Sequence, residues 1–178
     1  MLELRAASLV DTHAIAAALA GLCRPGDLVV LSGEMGAGKT AFAKGFGAAL
    51  GVTEPITSPT FTLVHTYDIP PGLGHGAKAL HHADLYRLDR TAEIADLALE
   101  ELAEYQGIVL VEWGDVADAL FGDHLVVHLE PDLFDDDELD SDIDGLADSA
   151  RLIEISASGA NWAPRWSRLI EACERFRC

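Results

Sequence analysis

The chain has 178 residues, of which 49% are hydrophobic, and it carries a formal net charge of −18 at pH 7. The composition excludes an intrinsically disordered chain, and no apolar run approaches the ~20 residues that a membrane-spanning helix needs. The charge argues against strong direct binding to tRNA or DNA, because a phosphate backbone would repel the protein. A basic protein partner is easier to reconcile with this charge.

The length favours one hydrophobic core, so we expect a single domain over residues 1–178. The first seven residues include Glu3 and Arg5 and lack the long apolar core of a signal peptide. We therefore expect a cytoplasmic protein with no membrane contact.

The first predicted elements are a strand, a helix and a second strand. Residues 2–5 alternate apolar and polar side chains, which is typical of a short strand. Asp11 or Thr12 is a candidate N-cap for an Ala- and Leu-rich helix that continues to about Leu22. Residues 28–31 form an uninterrupted apolar run, Leu-Val-Val-Leu, which predicts a buried parallel strand.

A glycine-rich segment with the P-loop pattern follows this second strand: Gly, four residues, Gly, Lys, and then Ser or Thr. Its glycines let main-chain N–H groups approach a phosphate. The Lys39 ammonium would reach the β- and γ-phosphates, and the Thr40 hydroxyl would take one position on Mg²⁺. Residues 40–50 predict a helix whose positive end faces the anion, with Gly51 at its C-terminus. Within this loop the predicted nucleotide-binding residues are Gly33, Glu34, Met35, Gly36, Ala37, Gly38, Lys39 and Thr40. The first predicted helix, which ends at about Leu22, either only packs against the sheet or also contributes to the pocket for the nucleotide base.

Two strands joined by a long loop are predicted next. Residues 59–67 alternate as a strand does, and residues 79–84 predict the strand that returns beside it. The Pro- and Gly-rich residues 69–78 would connect the two as antiparallel neighbours. Thr60, in the Ser-Pro-Thr triplet at the first strand, is either an ordinary turn residue or part of a switch that senses Mg²⁺ and the γ-phosphate.

Asp84 stands at the end of the returning strand, where its carboxylate would orient an attacking water or hold a metal-bound water. Two alternatives remain for this carboxylate. His81, His82 and Asp84 would together suit a transition metal, although no third distant ligand is evident. Asp84 would equally serve as a helix cap or as a partner for Arg87.

A second fully apolar run at residues 108–111 predicts another buried strand. The preceding residues 91–105 have a helical pattern that Gly107 ends. Glu112 follows the strand directly, and a carboxylate at the end of a buried strand is typical of a Walker B element. We expect Glu112 to ligate Mg²⁺ directly or through water, with Trp113 packed beside the site.

The remaining elements are a short helix over residues 116–121, strands over 124–129 and 151–156, and an amphipathic closing helix over 162–176. Residues 130–148 hold ten acidic residues and no basic one, which predicts a flexible, solvated insert. Part of this insert imitates a calcium loop, but the twelfth position is Arg151 instead of the required Glu.

Four sequence blocks together resemble the TsaE (YjeE) family of bacterial ATPases. They are the P-loop, residues 58–64, residues 82–87, and Val-Glu-Trp at 111–113. Their order and spacing match the family over residues 9 to about 129. The P-loop alone is shared by many families, and the other blocks are far more specific. The inserts at 69–78 and 130–148 look longer than the family core needs.

This resemblance implies a P-loop NTPase-like α/β fold, a three-layer α/β/α sandwich with a mixed parallel and antiparallel sheet. It also implies Mg²⁺-dependent ATP binding and slow ATP hydrolysis. TsaB and TsaD would be the protein partners in forming threonylcarbamoyladenosine on tRNA, and tRNA would be reached only through that complex. By motif match, Lys39 holds phosphate, Thr40 and Glu112 hold Mg²⁺, Asp84 aids hydrolysis, and Thr60 lies in a switch-like loop.

Two other functions use the same motif. A small-molecule kinase would gather arginines on a lid, but four of the nine arginines lie at or after Arg165 and no lid-like cluster is evident. A non-enzymatic binding module would hold nucleotide as a structural ligand. It would assemble with its partners equally well with ADP, ATP or no nucleotide.

Overall fold

A computed structural model describes residues 1–58, 63–86, 98–113, 121–132 and 150–178. These ranges contain a seven-stranded sheet and four α-helices. The strands are β1 (Leu2–Ala6), β2 (Leu28–Ser32), β3 (Val64–Asp68), β4 (Ala79–Asp84), β5 (Gly107–Glu112), β6 (His124–Pro131) and β7 (Arg151–Ser158). The helices are α1 (Leu9–Ala20), α2 (Lys39–Ala49), α3 (Leu99–Glu104) and α4 (Trp166–Cys173).

The sheet mixes parallel and antiparallel pairs, as predicted. Its strand order is β1-β7-β6-β2-β5-β4-β3. The four central strands β6, β2, β5 and β4 run parallel, whereas β1, β7 and β3 pair antiparallel with their neighbours. The carboxyl ends of β2, β4 and β5 therefore meet at one edge, where open α/β sheets bind ligands.

Helices cover both faces of this sheet, which confirms the three-layer sandwich. Because side chains alternate along a strand, Val29 and Leu31 of β2 pack on one face with α1, α2 and α4. Leu28 and Val30 face the opposite side and pack with α3. All five residues of β2 are buried, as its uninterrupted apolar run predicted.

Helix α1 begins earlier than predicted, because its N-cap is Ser8 and neither Asp11 nor Thr12. Ser8 has an extended backbone, and its hydroxyl accepts a hydrogen bond from the Asp11 N–H. The Asp11 carboxylate accepts in return from the Ser8 hydroxyl at 3.2 Å and from the Ala7 N–H at 3.2 Å. Asp11 thus stabilises the first turn from inside the helix, as in a capping box.

Two predicted boundaries in the middle of the chain were wrong. β3 begins at Val64, because Leu63 has φ +61°, which interrupts an extended strand. Residues 59–62 of the predicted strand lie outside the described residues. Gly107 does not end the helix over 91–105 but opens β5, and the turn between α3 and β5 is made by Gln106 with φ +62°. The predicted antiparallel pairing of β3 with β4 is confirmed.

The closing helix over 162–176 is divided. A 3-10 turn at Ala163–Arg165 precedes α4, and a second one at Glu174–Phe176 follows it. Pro164 lies in the first turn, where a missing N–H is tolerated but the ring restricts the backbone. The predicted amphipathic character of this segment is confirmed, since Trp162, Leu169 and Cys173 are all buried in the core.

The acidic insert begins later than the predicted residue 130. Glu130 and Pro131 belong to β6 and pair with β7, and the Asp132 carboxylate accepts from Arg5 Nε at 2.6 Å. Residues 133–148 lie outside the described residues, as do most of the predicted short helix over 116–121 and residues 91–97 of the preceding one. None of the described helices is long and apolar enough to cross a membrane.

Candidate functional site

A cavity of about 550 Å³ lies where the carboxyl ends of β2, β4 and β5 meet the N-terminal end of α2. Five of the predicted P-loop residues line it: Met35, Gly36, Gly38, Lys39 and Thr40. Asp84 and Glu112 line it too, so the structure brings together residues that are up to 77 positions apart in the sequence. The cavity lining does not include Gly33, Glu34 or Ala37, which form the loop behind it.

Two glycines give the loop its path. Gly33 has φ +127°, and a β-carbon there would overlap the carbonyl oxygen of Leu129 in β6. Gly38 has φ +104°, and a β-carbon there would lie 2.5 Å from Arg151 Nε. Because side chains are excluded at both positions, the loop approaches β6 and β7 more closely than any other residue would permit.

Helix α2 points its N-terminus into the cavity. Gly38 is its N-cap and makes no side-chain capping bond, and Phe42 N donates to Gly38 O at 2.9 Å to begin the helical ladder. The N–H groups of the first turn have no acceptor within the helix. Together with the helix dipole they give this end of α2 a partial positive charge, which would stabilise a bound anion.

The Lys39 side chain is nearly buried beneath the loop. Its ammonium donates to the carbonyl oxygens of Gly33 at 2.7 Å and Glu34 at 2.8 Å. It also lies 3.6 Å from the centroid of the Trp113 ring, which in turn contacts the Tyr86 ring in a tilted arrangement with the centroids 4.9 Å apart. Trp113 therefore packs against the site, as predicted, and its electron-rich face stabilises the lysine charge.

Thr40 and Glu112 face each other across the cavity. The Thr40 hydroxyl lies 3.1 Å from both carboxylate oxygens of Glu112. Glu112 is 3% exposed, and its Oε1 also accepts a hydrogen bond from His82 Nε2 at 2.9 Å. A hydroxyl and a carboxylate are the hard oxygen donors that Mg²⁺ prefers, so these two residues fit the predicted metal ligands.

Asp84 lies beside Glu112, because β4 and β5 pair the two residues in parallel register. The Ser58 hydroxyl donates to Asp84 Oδ2, and the Tyr86 N–H donates to Oδ1 at 3.0 Å. The second bond closes a turn two residues on. The residues from 87 to 97 lie outside the described ranges, so the helix-cap alternative stays a prediction. Arg87, the other partner considered, lies outside the described residues.

A transition-metal site built on His81, His82 and Asp84 is not formed. His81 points to the opposite face of β4, where its Nδ1 lies 2.9 Å from the Thr66 hydroxyl, and burial lowers its pKa. His82 contacts Glu112 instead. Over the described ranges, no group of three or more His, Cys, Asp or Glu is arranged to hold a metal ion. Thr60 lies outside those ranges, so its role as a switch stays a prediction.

Sequence reasoning missed Arg151 as a site residue. Arg151 is 3% exposed and opens β7, and its Nε–H donates to the Ala37 carbonyl at 3.0 Å. The only sequence signal was a charged residue at the start of an apolar strand. The contact spans 114 positions, and only the strand order shows that β7 passes the loop.

Two further residues of the lining come from α1. Leu9 and His13 both border the cavity, which agrees with the hypothesis that this helix contributes to a nucleotide pocket. His13 reaches this position because α1 packs closely on α2 at Gly45, where a β-carbon would lie 2.7 Å from the His13 α-carbon.

The fold and the glycine-rich loop define an α/β protein of the P-loop NTPase-like class. The model of the family described as "Threonylcarbamoyl adenosine biosynthesis protein TsaE" matches residues 6–138. The chain therefore belongs to the TsaE family, as its sequence blocks predicted.

Individual relatives agree with this assignment. The Bacillus subtilis "tRNA threonylcarbamoyladenosine biosynthesis protein TsaE" is 42% identical over 112 residues, which span 63% of this chain and 66% of the relative. The Streptomyces coelicolor protein of the same description is 37% identical over 147 residues, 82% of this chain and 89% of the relative. The crystal structure of Bacillus subtilis YdiB matches with a TM-score of 0.67 at 28% identity, covering 98% of this chain and 94% of that one.

Proposed function

We propose that the chain binds ATP with Mg²⁺ and hydrolyses it slowly, as an accessory protein in the threonylcarbamoyladenosine modification of tRNA. It would act on a complex of TsaB and TsaD. Membership of the TsaE family and the descriptions of its relatives support the pathway. The observation that carries the ATPase proposal is the convergence of Lys39, Thr40 and Glu112 at the N-terminal end of α2.

Lys39 would bind the β- and γ-phosphates. Its ammonium already lies in the loop, held by two main-chain carbonyls. Phosphate oxygens would take the place of these carbonyl acceptors. The first-turn N–H groups of α2 would bind the same phosphates from the other side.

Thr40 and Glu112 would hold the metal ion. Both carboxylate oxygens of Glu112 already face the Thr40 hydroxyl, so a cation between them would replace a hydrogen bond with two oxygen ligands. When bound, Mg²⁺ would neutralise the charge that develops on the β- and γ-phosphates.

Asp84 would position the attacking water. Ser58 and the Tyr86 N–H fix its carboxylate, which lies at the cavity beside Glu112. A fixed carboxylate that accepts hydrogen bonds suits a group that orients water and receives its proton.

Hydrolysis by this chain alone should be slow. Among the described residues, Arg151 is the arginine that lines the cavity. Its Nε–H already donates to the Ala37 carbonyl, so its guanidinium is bound to the loop. Rapid phosphoryl transfer usually needs an arginine that stabilises the transition state. We therefore propose that activity depends on the protein partners, and that tRNA is reached only through them. The cytoplasm remains the expected compartment.

Replacing Lys39 or Glu112 with Ala tests the assignment. We expect each change to lower ATP hydrolysis, measured with TsaB and TsaD present, by about 100-fold or more. Lys39→Ala removes a positive charge from the phosphates, and Glu112→Ala removes a ligand of the Mg²⁺ that neutralises them. Lys78→Ala and Glu104→Ala are matched controls, since both side chains are exposed and neither lines the cavity. Hydrolysis that survives both site changes at the control level would show that the roles are wrongly assigned.

A further inference from the structure

His82 is a fully buried histidine directly behind the candidate metal ligand. It lies in β4, two residues before Asp84, and its side chain is 0% exposed. β4 pairs His82 with Leu110 and Asp84 with Glu112. Because paired residues and their second neighbours share one face of the sheet, the His82 ring reaches diagonally across to Glu112.

The contact between the two side chains defines the protonation of the ring. His82 Nε2 lies 2.9 Å from Glu112 Oε1. A carboxylate oxygen accepts hydrogen bonds, so Nε2 must carry the proton. The other ring nitrogen, Nδ1, is buried and has no hydrogen-bond partner among the described residues.

This arrangement is poorly explained by packing alone. The unpaired Nδ1 lowers the stability of the chain, and an apolar side chain at this position would fill the core without that loss. The ring makes one hydrogen bond, and that bond goes to the carboxylate that faces Thr40. The neighbouring His81 differs, because it lies on the opposite face and contacts Thr66.

We propose that His82 is a positioning residue for the metal site: its Nε2–H fixes the Glu112 carboxylate so that both oxygens face the Thr40 hydroxyl. Residues behind metal ligands commonly act in this way, and their loss typically weakens metal affinity or activity by 10- to 100-fold. The inference rests on the proposed function, because it assumes that Glu112 and Thr40 hold Mg²⁺.

Three variants separate positioning from packing. His82→Leu removes the donor and keeps an apolar side chain, His82→Gln restores an N–H close to the position of Nε2, and His81→Leu is the control in the same strand. Calorimetry with a non-hydrolysable ATP analogue, in Mg²⁺ and in EDTA, gives the ratio of the two dissociation constants for each protein. Circular dichroism and thermal unfolding check that each variant folds.

We expect His82→Leu to reduce this ratio by about 10-fold or more while leaving the dissociation constant in EDTA unchanged. His82→Gln should recover much of the ratio, and His81→Leu should match the parent chain. If folded His82→Leu keeps the full ratio, the positioning role is overturned and the proposed function stands. If the parent chain shows no effect of Mg²⁺ on nucleotide binding, both fall.

A second measurement needs no variant to remain folded. Nitrogen-15 spectra of the histidine rings in the parent chain report the tautomer of His82 directly. The inference requires a ring with its proton on Nε2. A proton on Nδ1 alone would overturn it, because such a ring cannot donate to Glu112.

Discussion

Gly38 of the P-loop and Gly72 of the connection between β3 and β4 differ in what a side chain would meet. Gly38 and Gly72 both have positive φ, +104° and +96°, so an alanine at either position adopts a strained backbone. At Gly72 a β-carbon would meet nothing within 4 Å, whereas at Gly38 it would lie 2.5 Å from Arg151 Nε. The two positions thus separate backbone strain from the packing of Arg151 on the loop.

We expect Gly72→Ala to lower the free energy of unfolding by about 1–2 kcal/mol, the cost of a left-handed backbone. Gly38→Ala should cost more and should also weaken nucleotide binding, because Arg151 must leave its contact with Ala37. Urea denaturation and calorimetry measure the two effects. Equal losses of stability, with unchanged nucleotide affinity, would show that the contact of Arg151 with the loop has no importance.

The residues of the loop could be predicted because each has a chemical reason at a fixed spacing. Lys39, Thr40 and Glu112 all line one cavity, as the motif and the strand-end position indicated. The contacts of Arg151 and His82 could not be predicted in this way. A hydrogen bond between distant positions follows from strand order and register, which local sequence does not encode.

At the scale of elements, a buried ion pair joins the segment before β2 to the turn before α4. The Arg165 guanidinium donates to both oxygens of Asp27, to Leu22 O at 3.0 Å and to Asn161 O at 3.1 Å. Burial by itself lowers the pKa of Arg165, but the hydrogen bond and charge of Asp27 raise it overall. Because β2 leads directly into the P-loop, this pair fixes the strand that carries the site.

Asp27→Ala should destabilise the chain by about 3–5 kcal/mol, because it leaves the buried Arg165 guanidinium without a negative charge beside it. The double variant Asp27→Ala with Arg165→Leu should lose less, since no uncompensated charge remains. Chemical denaturation of both variants provides the comparison. A double variant less stable than Asp27→Ala would contradict this explanation.

Element types were easier to predict than element boundaries. β2 and β5 are continuous apolar runs, and burial on both faces explains them. The division of the closing helix was missed because Pro164 is compatible with the first turn of a helix as well as with a break. The start of β3 was missed because nothing in the type of Leu63 indicates a positive φ.

The net negative charge of the molecule opposes the binding of a triphosphate in the cavity. The chain carries a net charge of −18, yet its cavity has the helix end and lysine of a polyanion site. A triphosphate entering this field is repelled unless a cation accompanies it. We therefore expect nucleotide binding, and not only hydrolysis, to require Mg²⁺.

The layer architecture could be anticipated from apolar runs that alternate with helical segments, together with the family resemblance. The order of the strands could not be read from these patterns, since β7 and β1 are far apart in sequence and adjacent in the sheet. That order is what brings Arg151 to the loop.

Calorimetric titration of adenine nucleotide into the folded chain, first with Mg²⁺ and then with EDTA, measures whether the cavity binds nucleotide together with the metal ion. We expect clear uptake of ATP with Mg²⁺ and markedly weaker binding in EDTA, because the chain's negative field repels a bare triphosphate. If no magnesium-dependent uptake occurs, even with TsaB and TsaD present, the proposed site is contradicted.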